Sequence, residues 1–377
     1  MNFDLPYASR RSPVCAQQMV ATSQPLATQA GIAALRAGGN AVDAALASAI
    51  ALTVVEPNNN GVGSDAFAMV WDGHRLHGLN GSGRAPAAWT PEYFAGRSAM
   101  PQRGWDSVTV PGAVSVWGEL SQRFGKLPFA RLFEDAIRYA DAGFPVGPET
   151  ARFWQAAATE LDTEPGFAAH FLPAPGAGEV FRRPELAQTL RTIAAQGPRS
   201  LYEGELAERI VTAAAAQGGA LTAQDLAAHH ADWVTPIAQR YRDVILHELP
   251  PNGQGLAAQI ALGILAHLPA PPLDTELAAH QHIEAMKVAI RAAFDHFADP
   301  AAMTCAPEAL LEPGMLGKLA AGIGPRANRV PPQALPISHD TVYLCAADAE
   351  GMMVSFIQSN YLGFGSGVVV PGTGIAL

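Results

Sequence analysis

The residue with most chemistry to offer stands at the mouth of a predicted hairpin. Two short apolar runs, Val342 to Ala347 and Met352 to Ile357, flank Ala349-Glu350-Gly351, the pattern of a β-hairpin closed by a glycine-containing loop. Thr341 immediately precedes the first run and follows His339-Asp340. A β-branched residue at a strand end needs no further purpose. Cutting the Asp340–Thr341 peptide bond, however, would place a hydroxyl and a free α-amino group on one residue. An α-amine of pKa about 7.7–8.0 is partly neutral near pH 7, so it can take the hydroxyl proton without a separate histidine. One residue would then serve as nucleophile and base in acyl transfer from an amide.

Other residues offer less specific chemistry. Arg84, in Gly81-Ser82-Gly83-Arg84-Ala85-Pro86, reads either as a solvated surface side chain or as a fork for a substrate carboxylate. Gly61-Val62-Gly63 neither follows a strand nor opens a helix, so it is no dinucleotide fingerprint. Of eleven histidines, neither His229-His230 nor His280 with His282 has the spacing of a helical zinc pair with a matching acid, and no metal or other cofactor is expected. His339, two residues before the cleavage point, could assist the cut or be an ordinary surface histidine.

Positioning these groups requires a mixed α/β chain. Pro25 to Ala37 has helical spacing and ends at Gly38-Gly39. Asn40 then caps Ala41 to Val55, a helix apolar on nearly every face and therefore expected inside a layer. Phe67 to Trp71 and Arg75 to Leu79 around Asp72-Gly73 read as a second hairpin. Helical runs follow at Ala113 to Phe124, Phe129 to Ala142, Pro184 to Gln196, Glu205 to Gln217, Thr222 to His229 and Leu256 to His267, with Val244 to Leu249 the clearest strand between them. Residues 1 to about 19 read as an irregular arm, and the proline-rich Leu268 to Leu273 and Val330 to Pro336 as loops, the second leading to the cleavage point.

The 377 residues are 49% hydrophobic and 15% charged, enough for a large core. A formal net charge of −10 without any Lys/Arg-rich run argues against nucleic acid and for small-molecule partners. Cys15, Cys305 and Cys345 are too scattered for a disulfide or zinc framework, which fits a reducing compartment. The first residues lack the basic-then-apolar pattern of a secretory signal, and Ala41 to Val55 is too short to span a bilayer, so a cytoplasmic location away from membranes is expected.

The chain resembles the γ-glutamyltranspeptidase family, proenzymes that cleave themselves before a threonine. The resemblance rests on Leu35 to Ala45, Val55-Glu56-Pro57, Gly61-Val62-Gly63, Val110-Pro111-Gly112, Gly197-Pro198, Leu201 to Gly204, Leu221-Thr222, Pro250-Pro251 and the Thr341 hairpin, in order from about residue 20 to the end. It implies an N-terminal-nucleophile hydrolase fold, an αββα sandwich, incomplete at its C-terminus. Residues 1–340 would be the large-subunit-like region and 341–377 the start of the small subunit, together part of one domain. The two would form a heterodimer once processed. The implied activity is γ-glutamyl transfer or hydrolysis from glutathione-type donors, through an acyl-enzyme on Thr341 that passes to an amine or water. The oxyanion-hole glycines and the acid that binds the substrate amine would follow Leu377.

Against the family pattern, aligning on Ala85-Pro86 puts Ser82 at the place of a carboxylate-binding arginine and Arg84 two residues later. Gln358, Ser359, Asn360 and Tyr361 replace the Thr and Asn that hold the nucleophile, with Ser359 the best support and Tyr361 beside the substrate. These departures keep open a related amidohydrolase or acylase acting on another carboxylate-bearing amide, and an inactive remnant.

Overall fold

A computed structural model describes residues 14–272, 274–328 and 341–377. The chain runs through β1 (Met19–Thr22), α1 (Pro25–Arg36), α2 (Ala41–Val55), β2 (Asp65–Trp71), β3 (Leu76–Gly81), α3 (Ala113–Phe124), α4 (Glu134–Ala142), β4 (Phe144–Pro145), α5 (Pro148–Glu160), α6 (Pro165–Phe171), β5 (Val180–Phe181), α7 (Pro184–Gln196), α8 (Glu205–Ala216), α9 (Ala223–Ala227) and β6 (Asp232–Val234). It continues with β7 (Ile237–Tyr241), β8 (Val244–Glu248), α10 (Gly255–Ala266), α11 (Glu276–His296), α12 (Pro313–Ala321), β9 (Val342–Ala347), β10 (Met353–Ser359), β11 (Val369–Val370) and β12 (Ile375–Ala376).

Two compact units result, and their division does not follow the 340/341 boundary. The described residues of Ala16–Trp233 and Pro336–Leu377 form one, and those of Val234–Leu335 belong to the other.

The first unit is built on a six-stranded sheet in the order β1-β9-β10-β2-β3-β6. Its three central strands alternate strictly. Val342, Leu344 and Ala346 of β9, Val354, Phe356 and Gln358 of β10, and Ala66, Ala68 and Val70 of β2 are buried, as period-2 side-chain geometry requires of one packed face. That face meets α2, in which every residue is buried. Asn40 starts α2 with a capping box: its Oδ1 accepts from the Val42 and Asp43 amides, and Asp43 Oδ2 accepts from the Asn40 amide. At Gly31 of α1, a Cβ would run into Ser48 Oγ and the Ala44 carbonyl, so the close approach of α1 to α2 depends on glycine there. Arg183, before α7, is almost wholly buried and donates to the carbonyls of Thr53 in α2 and Gly374 near β12.

In the second unit the β7-β8 hairpin is bridged by Gln259 of α10, whose Nε2 donates to the Ile237 and Leu246 carbonyls. Leu256, Ile260 and Ile264 of α10, Ala285 and Ala289 of α11, and Leu316 and Ala320 of α12 make its core. Among the described residues no helix is long and apolar enough to cross a membrane.

The sequence expectation of a helix-rich layer over a small sheet agrees with this architecture, and α2 and α7 match their predicted limits. Three differences are informative. β1, which begins where the expected irregular arm of residues 1 to about 19 ends and which no sequence pattern marked, is a strand because β9 supplies its ladder from Leu344 to Ala347. Phe129 to Ala142 is a 3-10 turn, Phe129–Phe133, followed by α4. The 21-residue α11 lacks a clean apolar stripe, since His280, His282, Glu284 and Lys287 interrupt it, and packing on α10 makes it a helix.

Candidate active site

The hairpin register carries the site. β10 pairs with β9 so that Gln358 faces Val342, and with β2 so that Ser359 faces Asp65. One step beyond Val342, Thr341 comes opposite Ser359, and their hydroxyl oxygens are 3.0 Å apart. The Tyr361 amide donates to the same Ser359 Oγ at 2.9 Å, and the backbone at Tyr361 is left-handed, φ +73°. Ser359 is thus held from one side by a backbone N–H and meets Thr341 on the other. Thr341 and the Tyr361 side chain are both exposed.

The loop after β10 is fixed by a second loop after α2. Asn360 donates from its amide to the Asn59 carbonyl at 3.2 Å and accepts from Ser64 Oγ at 2.6 Å, and the Phe364 amide donates to the Asn58 carbonyl at 2.7 Å. Ser64 also accepts from the Gly61 amide and, through its carbonyl, from the Gly112 and Ala113 amides that begin α3. Arg103 donates to the carbonyls of Gly363 and Gly365. Phe364 packs edge-on to Trp154, Phe167 and Phe171 with ring centroids 4.9–5.4 Å apart. Beneath Ser359, the buried Gln358 accepts from Trp117 Nε1 at 2.9 Å and donates to Asn60 Oδ1 at 2.8 Å. Asn60 in turn donates to the Leu52 and Glu56 carbonyls at the end of α2. Each polar group one layer below the threonine is therefore tied to α2, α3 or the aromatic cluster.

Continuing the register across β2 and β3, in which Ala66 faces Gly81, places Asp65 opposite Ser82. Thr341, Ser359, Asp65 and Ser82 thus form one row on the face of the sheet away from α2. Ser82 bonds through its amide and hydroxyl to Asn80 Oδ1. Asp65 is partly buried, and burial pushes its carboxyl up to about 7, opposed only by a hydrogen bond from its own backbone. Arg84 leaves this row. Its carbonyl accepts from the Val110 amide, its side chain is exposed, and among the described residues no hydrogen bond or ion pair joins it to Thr341 or Ser359. Its charge acts instead on His229, whose imidazole is pushed down to about 4, by burial first and then by His230, with smaller contributions from Arg199 and Arg84. His229 contacts Ser115 Oγ at 3.0 Å.

Asp340 and His339 lie outside the described residues, as does Val330 to Pro336. Sequence reasoning did not single out Asp65, Asn60, Trp117 or Arg103. A signal for Asp65 was present: an acidic residue opening an otherwise apolar strand, Asp65-Ala66-Phe67-Ala68-Met69-Val70-Trp71. Among the described residues no cluster of His, Cys, Asp and Glu could hold a metal ion.

The fold is that of the N-terminal-nucleophile hydrolases. The chain resembles the crystal structure of cephalosporin acylase from Bacillus halodurans, with 47% identity and a TM-score of 0.93 over 100% of this chain and 72% of that one. Residues 27–377 match the gamma-glutamyltranspeptidase family, and the chain belongs to this family of enzymes. It is 36% identical to the glutathione hydrolase-like YwrD proenzyme of Bacillus subtilis and 38% identical to the oxamate amidohydrolase proenzyme of Klebsiella pneumoniae, in each case over 97% of this chain and 71% of the relative.

Proposed function

We propose that this chain is a proenzyme that cleaves itself between Asp340 and Thr341 and then uses Thr341 to transfer or hydrolyse the acyl group of a small carboxylate-bearing amide, with γ-glutamyl amides of the glutathione type as donors. The observation that carries this reading is the 3.0 Å contact between Thr341 Oγ1 and Ser359 Oγ, with the Tyr361 amide fixed on Ser359. With one lone pair of Ser359 taken by that amide, its proton is free to point at Thr341 Oγ1.

In self-cleavage the Thr341 oxygen attacks the Asp340 carbonyl carbon, the C–N bond breaks as the hydroxyl proton passes to the Thr341 nitrogen and frees the amine, and water then hydrolyses the resulting ester to release the Asp340 carboxylate and the Thr341 hydroxyl. In turnover that amine takes the Thr341 proton as the oxygen attacks the substrate amide, and returns it to the departing nitrogen. Ser359 donates to the oxygen as negative charge develops. Residues 1–340 and 341–377 then belong to separate large and small subunits, which remain associated as a heterodimer.

A second reading, hydrolysis of a different carboxylate-bearing amide, is favoured by the position of Arg84 outside the row and by the oxamate amidohydrolase and cephalosporin acylase among the similar proteins. Mass spectrometry of the mature N-terminus tests the first step, with Thr341 expected as the new first residue. Side-by-side assays of γ-glutamyl, glutaryl and oxamyl amides separate the two readings.

A further inference from the structure

The row Thr341, Ser359, Asp65, Ser82 holds one ionisable side chain, and it is an acid. Its spacing is set by the sheet: Thr341 and Asp65 lie two strands apart, roughly 9–10 Å between backbones. An acyl group bound at Thr341 Oγ1 and laid across Ser359 covers about 5 Å in four bonds, and a hydrogen bond of about 2.8 Å brings its far end to the Asp65 carboxyl.

Among the described residues no other side chain of this row carries a charge, and the α-amine of mature Thr341 lies at the far end of the row from Asp65. Along this face β10 contributes Ser355 and Ser359, β3 contributes Asn80 with Ser82 beyond it, and β9 contributes Tyr343 and Cys345, further from Asp65 along the strands. On the opposite face, the titratable groups of α3 are engaged elsewhere: Glu119 accepts from Trp233, and Arg123 stacks on the same ring. The shift of Asp65 to about 7 has burial as its cause and no charged side chain among its causes.

Building on the Thr341 reading above, we propose that Asp65 is the specificity-determining residue of the acyl-donor site, reading the charge that a donor carries four bonds from its scissile carbonyl. As the carboxylate, Asp65 attracts an ammonium group there and repels a carboxylate. As the neutral acid, it donates a hydrogen bond to a carboxylate and gives no attraction to an ammonium. The substrate class is therefore a four-carbon-reach amide whose terminal charge is selected by pH.

The test compares 4-aminobutyryl and glutaryl 4-nitroanilides, which place an ammonium and a carboxylate at this reach, on the mature enzyme between pH 6 and 8.5. The ratio of their kcat/KM values is expected to rise with pH by about 10- to 100-fold in the wild type. In Asp65→Asn it is expected to be flat. A wild-type ratio independent of pH, or the same rise in Asp65→Asn, overturns the proposal. If the variant does not mature, the wild-type profile decides alone. Thr341-dependent turnover without charge preference removes the role of Asp65 and leaves the reading of Thr341 standing. A mature enzyme that turns over a γ-glutamyl anilide but neither of these two donors overturns the proposal and leaves the reading of Thr341 standing, whereas a mature Thr341 that turns over none of the three refutes both.

Discussion

At the scale of the residue, the pair Thr341 and Ser359 makes the sharpest prediction. Thr341→Ala is expected to stop both self-cleavage and turnover, while Thr341→Ser retains part of each, as a denaturing gel and an anilide assay will show. Ser359→Ala removes the hydroxyl that meets Thr341 Oγ1 without touching the amine. Losing a hydrogen bond to a developing charge costs about 1.5–3 kcal/mol, so kcat is expected to fall about 10- to 100-fold with KM little changed, and Ser359→Thr should restore most of it. An unchanged kcat in Ser359→Ala would remove Ser359 from the mechanism.

Asp65 predicts a pH signature in stability. Burial lifts its carboxyl from the ordinary 3.8 to about 7 in the folded protein, so its ionisation opposes the fold: the associated stability is present below about 4 and is lost as pH rises toward 7. The upper scale of this loss is on the order of 4 kcal/mol. His229, pushed down to about 4, has the opposite sign, losing stability as pH falls from about 6.5. Urea melts of wild type and Asp65→Asn isolate the aspartate, because His229 is common to both. The variant should gain on the wild type steadily from pH 4 to pH 7.

At the scale of the element, α2 is the spine against which the site is registered. Ile50 is wholly buried, and Ile50→Ala is expected to cost about 2–5 kcal/mol in chemical denaturation. Asn40→Ala should cost less, about 0.5–2 kcal/mol for the cap, with a further loss because Asn40 Nδ2 also donates to the Phe124 carbonyl. Gln358 tests the layer beneath the nucleophile. Gln358→Leu leaves Trp117 Nε1 and Asn60 Oδ1 without their partner in a buried setting, each at about 1–3 kcal/mol. Slower self-cleavage, read on a gel time course, is expected with it, since Asn60 belongs to the loop that orders Asn360.

At the scale of the whole molecule, remote segments meet where local patterns gave no hint. Arg183 joins α2 to the segment before β12, with its guanidinium over the Phe171 ring. Arg183→Met keeps much of the apolar volume but orphans two carbonyls, and it is expected to lower stability by a few kcal/mol; equal midpoints in guanidinium would show that Arg183 is dispensable.

What the sequence by itself determined follows from local and periodic rules. An apolar helix with an Asn cap, Asn40 to Val55, could only be an inner layer, and the alternation of Val342 to Ala347 and of Met352 to Ile357 could only be paired strands. The ordered motifs from Leu35 to Thr341 placed the chain in its family. Tertiary structure decided the rest, because those features are non-local. Met19–Thr22 is a strand only because β9, more than 300 residues away in sequence, lies beside it. Asp65 is an ordinary acid until pairing with Ser359 puts it in the row of Thr341 and burial lifts its pKa. Arg84, equally eligible in sequence to grip a carboxylate, leaves that row because its loop is bonded back to Val110. Helix and strand identity are written in neighbouring residues, whereas the company a charge keeps is set by strand register and burial, which neighbours in sequence do not encode.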